Sequence, residues 1–304
     1  MELGRPSVLS KRTLTTGALV CLALACGSTV PEHEGPRILV FSKTEAFRHA
    51  SIAAGIEALE RLGREHGVGV DATEDASMFD HDELDRYVAV VFLSTTGDVL
   101  DDAQQDAFTE YIRAGGGFVG IHSASDTEYD WPWYGDLVGG YFDGHPGNPG
   151  VRTATLLVAE AEHPATAGLP SPWVREDEWY DFRDVEGGLT VLLDVDERTY
   201  KRPDEDPATE PRPIAWFHEF DGGRAFYTAL GHTEESYAEP LFLSHVWGGV
   251  TMVMRREDGG PWNASRRTRG RVGGRRPLER SAVGLEVQRH GDQSGNVHAA
   301  SQAR

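Results

Sequence analysis

Short apolar runs alternate with amphipathic stretches over the first half of the chain. Residues 37–42 (RILVFS) and 87–93 (YVAVVFL) have the length and the near-continuous apolarity of strands that are buried on both faces. Apolar residues at helical spacing predict helices over residues 52–62 and 101–113. Strands and helices that alternate at these intervals indicate right-handed βαβ units and a doubly wound α/β sheet.

One apolar run ends in an abrupt change of polarity. Phe118 to Ile121 follows three glycines and predicts another buried strand, and His122, Ser123 and Asp126 come soon after it. In open α/β sheets, ligands bind at the carboxyl ends of the strands. The sharp turn that begins at His122 is therefore the predicted centre of a binding site.

The second half of the chain is richer in strands. Alternating patterns predict strands over residues 153–158, 189–195, 214–220 and 224–230. Asp221-Gly222-Gly223 predicts a hairpin turn between the last two strands, and a final helix is predicted over residues 240–254. The mostly parallel sheet is thus expected to carry added hairpin elements.

The amino-terminal segment has the layout of a secretory signal. Two basic residues precede an apolar stretch, residues 14–25, that is too short to remain as a membrane span, which predicts a signal over residues 1–26. Ala23-Leu24-Ala25 followed by Cys26 resembles a bacterial lipoprotein signal, in which the cysteine is lipidated. Plain secretion and a chance apolar run are the alternatives. We expect an exported protein that is either anchored to a membrane surface through Cys26 or periplasmic or extracellular.

Composition divides the remaining chain into three regions. Residues 27–36 predict a linker, residues 37–254 a folded domain, and residues 255–304, which hold eleven Arg, a disordered Arg/Gly-rich tail. The chain has a formal net charge of −20, but the domain alone has 15 basic and 41 acidic side chains. A domain this acidic should repel nucleic acid, so no nucleic-acid partner is expected. Both cysteines lie in the signal, so the domain has no thiolate nucleophile or thiolate metal ligand.

Histidines follow several of the predicted strands, and two chemical roles are open for them. His49, His122 and His232 are far apart in sequence, but the carboxyl ends of parallel strands share one edge of a sheet. In one role, two or three of these histidines, with or without Asp177 or Glu178, bind a divalent metal such as zinc and leave a position open for water or a sugar oxygen. In the other, His122 or His232 is a general base and Arg48 holds an oxyanion or a hydroxyl. A third alternative is that the histidines only form hydrogen bonds with the backbone.

The residues around the turn argue against two other reactions. A Gly-x-Ser-x-Gly elbow has Ser at its tip, whereas the stretch 120–124 (GIHSA) has His122 there, so a serine hydrolase is disfavoured. Asp177 and Glu178 point to opposite faces if they lie on a strand, so only one of them can face a site. A two-carboxylate glycosidase would then need its second acid from elsewhere.

Aromatic residues are dense directly after the turn. Tyr129, Trp131, Trp133 and Tyr134 lie within six residues. Such side chains suit the apolar face of a sugar ring, and the alternative is that they fill one end of the sheet.

Four ordered blocks of sequence resemble the ThuA-like (trehalose utilization) domain. They are residues 47–52 (FRHASI), 115–146 (GGGFVGIHSASDTEYDWPWYGDLVGGYFDGHP), 177–182 (DEWYDF) and 223–237 (GRAFYTALGHTEESY). The resemblance extends over about residues 37–254. It implies a flavodoxin-like fold similar to that of class I glutamine amidotransferases, and a role in carbohydrate metabolism, often beside dehydrogenases that make keto-sugars. His122 stands where those amidotransferases have their cysteine, so glutamine hydrolysis is not carried over. Arg212 departs from the family pattern, which has a His-Pro pair there.

Two functions from different classes follow. The leading hypothesis is an exported enzyme that acts on a saccharide or keto-saccharide by His-centred acid/base or metal-assisted chemistry. The other is a noncatalytic saccharide-binding module on an amidotransferase-like scaffold. In both, the partner is a small-molecule saccharide. The cofactor is open, with a divalent metal such as zinc as the candidate, and the oligomeric state is open as well. The candidate catalytic residues are His122, His49, His232 and Arg48. The candidate substrate-binding residues are Ser123, Asp126, Tyr129, Trp131, Trp133, His145, Glu178, Tyr180 and Tyr237.

Overall fold

The computed structural model of the protein describes Met1 and residues 35–254. Apart from Met1, the predicted signal lies outside these residues, as do most of the linker and the Arg/Gly-rich tail. Export, lipidation of Cys26 and disorder of the tail therefore stay predictions. No helix in the described part of the chain is both long enough and apolar enough to cross a membrane.

Nine of the eleven strands in residues 35–254 form one sheet. The strands are β1 (Arg37–Phe41), β2 (Gly69–Thr73), β3 (Ala89–Leu93), β4 (Gly117–Ile121), β5 (Tyr141–Gly144), β6 (Val151–Val158), β7 (Trp173–Glu178), β8 (Asp181–Arg183), β9 (Thr190–Asp196), β10 (Arg212–Phe220) and β11 (Gly223–Thr228). Their order in the sheet is β2-β1-β3-β4-β11-β10-β9-β6-β7, and β5 and β8 pair separately. The five strands from β2 to β11 are parallel, and the other four add antiparallel neighbours. The predicted mostly parallel α/β sheet with added hairpin elements is confirmed.

Helices cover both faces of this sheet. They are α1 (Ile52–His66), α2 (His81–Leu84), α3 (Asp102–Arg113), α4 (Pro132–Val138) and α5 (Pro240–Met254). Gly117 on β4 faces α5 so closely that a Cβ at this position would stand 3.0 Å from Val253 Cβ. The next residue, Phe118, packs against Phe108 of α3, with 6.2 Å between the ring centroids. Because successive strand residues point to opposite faces, α5 and α3 lie on opposite sides of the sheet.

The antiparallel half of the sheet curls back toward the parallel half. Four strand spacings separate β7 from β11, which would place them about 19 Å apart in a flat sheet. Instead, the Asp177 carboxylate on β7 lies 3.0 Å from the backbone nitrogen of His232, which follows β11. The carboxyl ends of β7 and β11 therefore meet, and this meeting builds the site described below.

Strand β7 is missing from the sequence-based prediction for a physical reason. Four of its six residues are charged, from Arg175 to Glu178, and charged residues other than Arg are depleted in strands. Only Val174 and Glu176 are exposed, whereas Arg175 packs on Phe242 of α5, Asp177 accepts from the backbone after β11 and Glu178 contacts His232. Partners that are distant in sequence thus stabilise a strand that its own composition disfavours.

His245 is fully buried in α5, and it links folding to pH. Its Nδ1 lies 2.8 Å from the Ala165 carbonyl oxygen and its Nε2 lies 3.1 Å from Thr228 Oγ1. Burial lowers the pKa of His245 to about 4. The pKa of a histidine in the unfolded chain is about 6.5, so between these two values the unfolded state binds a proton that the folded state does not.

We expect the free energy of unfolding to fall as the pH decreases from about 6.5 to about 4, by up to about 3 kcal/mol from His245 alone. Urea unfolding of the wild type and of His245→Gln at pH 7 and pH 4.5 measures this contribution. Between these two pH values, the free energy of unfolding should fall by about 2–3 kcal/mol less in the variant than in the wild type. His81→Gln, at an exposed position, is the control. Equal losses in the wild type and His245→Gln would contradict the assignment.

Candidate metal centre

The backbone at the end of β4 turns sharply at His122. Its φ is +54°, in the left-handed region that few residues other than Gly adopt. Hydrogen bonds hold the turn on both sides, because the Tyr227 hydroxyl donates to the His122 carbonyl oxygen (2.8 Å) and the Tyr134 hydroxyl donates to that of Ala124 (2.7 Å). A strained residue that its surroundings hold in place is a common feature of functional sites.

The hydrogen bonds of His122 define which ring nitrogen carries the proton. Its Nδ1 lies 2.7 Å from the carbonyl oxygen of Ala229, and a carbonyl only accepts, so Nδ1 is the donor. Burial, with His49 nearby, lowers the pKa of His122 well below its usual value. The ring is therefore neutral, and Nε2 presents an unprotonated lone pair.

Three groups that can bind a metal surround this lone pair. His49 Nε2 and His232 Nδ1 each lie 3.1 Å from His122 Nε2, and Glu178 Oε2 lies 3.6 Å from it. Glu178 Oε2 is also 3.0 Å from His232 Nδ1. All four ligand atoms lie within 4.8 Å of one another. We refer to His49, His122, Glu178 and His232 as the four-residue cluster.

His49 comes from the loop between β1 and α1. Ser51 fastens this loop to the segment after β11 by donating to the Gly231 carbonyl oxygen (3.1 Å). The Nδ1 of His49 lies 3.3 Å from Ser123 Oγ, which leaves Nε2 directed at His122. Burial, followed by the charge of His232, lowers the pKa of His49 to about 4. His49 is thus a second neutral imidazole in the cluster.

His232 follows β11, and the residue before it has to be glycine. Gly231 has a φ of +110°, and a Cβ there would stand 2.9 Å from the Tyr237 hydroxyl oxygen. The backbone nitrogens of Gly231 and His232 both donate to the Asp177 carboxylate, at 2.9 and 3.0 Å. Asp177 therefore positions the loop that carries His232.

Asp177 and Glu178 point in different directions, as neighbours on a strand do. Asp177 is buried beneath the loop at 231–232 and also accepts from Arg175 Nη2 at 3.0 Å. Glu178 faces the histidines. Burial would raise its pKa, but the hydrogen bond with His232 and the neighbouring histidine charges outweigh burial and lower the pKa of Glu178.

The pKa of His232 shifts in the opposite direction from the pKa values of His49 and His122. Burial would lower its pKa, but the hydrogen bond and the charge of Glu178 outweigh burial and raise the pKa of His232. Without a metal, the raised pKa of His232 and the lowered pKa of Glu178 favour a charged pair beside two neutral imidazoles.

The distances within the cluster fit a single metal ion. Two ligand atoms about 2.05 Å from a tetrahedral ion are roughly 3.3 Å apart. Four of the six distances between these atoms range from 3.0 to 3.6 Å around this value, and all six lie within 4.8 Å. His122 also donates its other ring nitrogen to a backbone carbonyl, which is the usual support of a metal-binding histidine. Three imidazoles and one carboxylate suit Zn²⁺, Fe²⁺ or Mn²⁺.

Comparison with protein-family models identifies the ThuA family, described as trehalose utilisation, over residues 37–253. This chain belongs to the ThuA family. Among solved structures, a ThuA-like protein of Bacteroides uniformis is 23% identical, with a TM-score of 0.62 and an alignment that covers 77% of this chain and 99% of that one. A ThuA-like protein of Parabacteroides merdae is 18% identical, with a TM-score of 0.57 and coverage of 73% and 90%. Both share the fold of this ThuA domain. Comparison with curated proteins gave no significant match.

The cluster of the ThuA domain reaches solvent on one side. His122 is fully buried, whereas the side chains of His232 and His145 are 24% and 38% exposed. His145 Nδ1 lies 3.4 Å from Glu178 Oε1. Tyr180 covers His122, with 4.5 Å between the ring centroids and 2.9 Å from its hydroxyl to His122 Nε2. The site therefore combines buried ligands with an approach past His145.

Several predicted site residues of the ThuA domain lie away from the cluster. Arg48 is half-exposed and forms an ion pair with Glu74 (2.6 Å), so the structure does not place it to hold an oxyanion at the cluster. Tyr237 is buried against Phe242 behind the loop at 231–232. Its described contacts are with the core, in contrast to the substrate-binding role predicted for it.

The two predicted sugar-binding tryptophans lie at the other end of the sheet. Trp131 and Trp133 stack on each other with 5.0 Å between the ring centroids, and Trp133 Nε1 donates to Asp221 at 2.9 Å. Asp221 belongs to the hairpin turn before β11, next to the amino end of β4. These rings therefore correspond to the alternative in which aromatics fill one end of the sheet.

The remaining predicted residues form a layer next to the cluster. Ser123 contacts His49, whereas Asp126 accepts a hydrogen bond from the Tyr129 hydroxyl (2.6 Å). That hydroxyl also lies 3.2 Å from the carbonyl oxygen of Phe142, whose ring packs on Tyr180. Asp126 and Tyr129 thus support the aromatic cover rather than the ligand atoms.

Sequence reasoning missed two groups that position the ligands. The Ala229 carbonyl orients His122, and no side-chain pattern marks a backbone acceptor. The Arg175 guanidinium, which supports Asp177, lies in a strand that was not predicted. A signal for Arg175 exists only in the alternation of residues 173–178, where it shares a face with Asp177.

Proposed function

We propose that this ThuA-family protein is a metal-dependent enzyme that acts on a saccharide or keto-saccharide. One observation carries the proposal: three imidazole nitrogens and a carboxylate oxygen, from four separate stretches of the chain, lie within 4.8 Å of one another. The family description, trehalose utilisation, supports a carbohydrate as the substrate class.

His49, His122, His232 and Glu178 would hold the ion. A bound divalent metal polarises a carbonyl oxygen or lowers the pKa of a bound hydroxyl, and keto-sugars offer both groups on adjacent carbons. The Tyr180 hydroxyl, 2.9 Å from His122 Nε2, would lose its acceptor once that lone pair is coordinated. It would then be free to donate to a substrate oxygen that enters past His145.

Coordination number separates a catalytic ion from a structural one. Four protein ligands fill the tetrahedron of zinc, which is typical of structural sites, whereas catalytic zinc keeps an open position. A six-coordinate ion such as Mn²⁺ or Fe²⁺ would keep positions for substrate with the same four ligands. The partial exposure of His232 supports an opening on its side of the cluster.

A metal-free acid/base pair is the second candidate. His232 and Glu178 are 3.0 Å apart, and the raised pKa of His232 beside the lowered pKa of Glu178 favours a charged pair in the absence of metal. In this alternative, Glu178 accepts a proton from the substrate and His232 returns one. A noncatalytic saccharide-binding module would use the same groups without turnover.

Elemental analysis of the full chain, together with activity assays, tests the proposal. We expect close to one equivalent of a divalent transition metal in the purified protein, loss of keto-disaccharide turnover on dialysis against a chelator, and recovery when the metal is restored. Turnover that survives complete removal of metal would support the acid/base pair instead. Saccharide binding without any product would support the binding module.

A further inference from the structure

Phe47 is the most exposed large apolar side chain in residues 35–254, at 64%. Its ring meets that of His49 edge to face, with 4.8 Å between the centroids. The His49 ring in turn is 5.1 Å from the His232 ring. An aromatic surface in water therefore lies one ring away from the partly exposed member of the four-residue cluster.

The exposure of Phe47 does not come from a loose loop. The backbone nitrogens of Glu45 and Ala46 donate to Thr96, at 2.8 Å to its carbonyl oxygen and 3.3 Å to its hydroxyl. The same hydroxyl donates to the Phe47 carbonyl oxygen at 2.9 Å. Because Thr96 is fully buried, these bonds fasten both sides of the loop tip to the sheet and hold the ring outward.

Single exposed apolar residues are ordinary on protein surfaces, so exposure alone indicates nothing. Phe47 differs from the exposed Val174 and Val185 because it is aromatic and contacts a residue of the cluster. A saccharide site needs a flat apolar surface for the C–H face of a sugar ring and polar groups for its hydroxyls. The Phe47 ring supplies the apolar surface, and the groups around His232 and His145 supply the polar contacts.

We infer that the Phe47 ring is the stacking surface for a sugar ring of the substrate, the role that the sequence suggested for Trp131 and Trp133. The two centroid distances place the Phe47 ring at most 9.9 Å from the His232 ring. A disaccharide is long enough to stack one ring on Phe47 and to place an oxygen of the other at the cluster. This inference rests on the proposed function, because it assumes a saccharide ligand.

Calorimetric titration of the purified full chain with trehalose and its singly oxidised keto derivative tests the inference. We expect Phe47→Ala to weaken binding about five- to tenfold and to raise KM by the same factor. The value of kcat and the metal content should not change, since Phe47 is not one of the four predicted ligands of the metal. Phe47→Trp should restore the affinity, and Val174→Ala, at a similarly exposed position, should leave it unchanged.

The possible failures are distinguishable. If Phe47→Ala binds the saccharides as tightly as the wild type, the stacking role is wrong and the metal-dependent function stands. If Phe47→Ala loses its metal, the ring only supports His49, and the inference is also wrong. If the wild type binds neither saccharide, both the stacking role and the proposed substrate class are overturned.

Discussion

His122→Asn is expected to lose its bound metal and its turnover while it keeps the fold. Asn tolerates the left-handed backbone at this position, and its amide can still donate to the Ala229 carbonyl oxygen. The shorter side chain withdraws the ligand atom that now lies 3.1 Å from both His49 and His232. Because loss of a supporting residue alone weakens metal sites 10- to 100-fold, we expect affinity to fall by at least about 100-fold.

Thermal unfolding with and without added metal measures the change. At a metal concentration of about 100 times Kd, the wild type gains about 2.7 kcal/mol of stability, whereas a variant that binds about 100-fold more weakly gains only about 0.4 kcal/mol. For a domain of this size, the difference corresponds to about 5–9 °C in Tm. Metal content by elemental analysis provides a direct second measurement.

His81→Asn is the matched control for His122→Asn, because His81 is exposed and lies on α2, outside the four-residue cluster. It should keep both the metal and the metal-dependent rise in Tm. A His122→Asn variant that retains a full equivalent of metal would contradict the assignment of four ligands. Unchanged turnover of a keto-disaccharide by the same variant would remove His122 from the catalytic proposal.

Asp177→Asn is expected to destabilise the domain by about 3–5 kcal/mol, the effect of breaking a buried ion pair from one side. The Asp177 carboxylate accepts hydrogen bonds from three backbone nitrogens, those of Glu178, Gly231 and His232, and from Arg175. The amide nitrogen of an Asn side chain is itself a donor. It would therefore face one of these N–H groups without accepting a hydrogen bond from it. The Arg175 side chain, which is almost fully buried, would lose the nearer of its two carboxylate partners.

Urea unfolding gives the stability change, and thermal unfolding should show a fall in Tm of about 6–20 °C. We also expect weaker metal binding, by about 10- to 100-fold, because Asp177 positions the backbone of His232. Asp106→Asn, at an exposed position on α3, is the control and should change stability by less than about 0.5 kcal/mol. A loss of stability in Asp177→Asn with unchanged metal affinity would show that Asp177 supports the fold without positioning the ligand.

The alternating βαβ pattern was predicted correctly because it depends on local periodicity. Strands β1, β3 and β4 are short and apolar, and the structure buries β3 and β4 completely. Helix α5 spans the predicted residues, since Pro240 suits a first helical turn. Each of these elements is encoded within about fifteen neighbouring residues.

The candidate site was predicted in part. His49, His122 and His232 follow β1, β4 and β11, which are parallel strands, and their nitrogens now lie within 4.8 Å of one another. The sequence left open which of Asp177 and Glu178 faces them, and it assigned to Trp131 and Trp133 a role that their positions do not support. The direction of Arg48, toward Glu74, was also not predictable from its place beside His49.

The sequence by itself determined that parallel strands would end in histidines at one edge of the sheet, because strand period, helix period and turn residues are local properties. Only the tertiary structure decided that β7 returns to that edge, so that Glu178 completes the cluster and Asp177 holds the loop of His232. The curl of the antiparallel strands depends on contacts between residues more than fifty positions apart. Patterns within a short window of sequence do not encode such contacts.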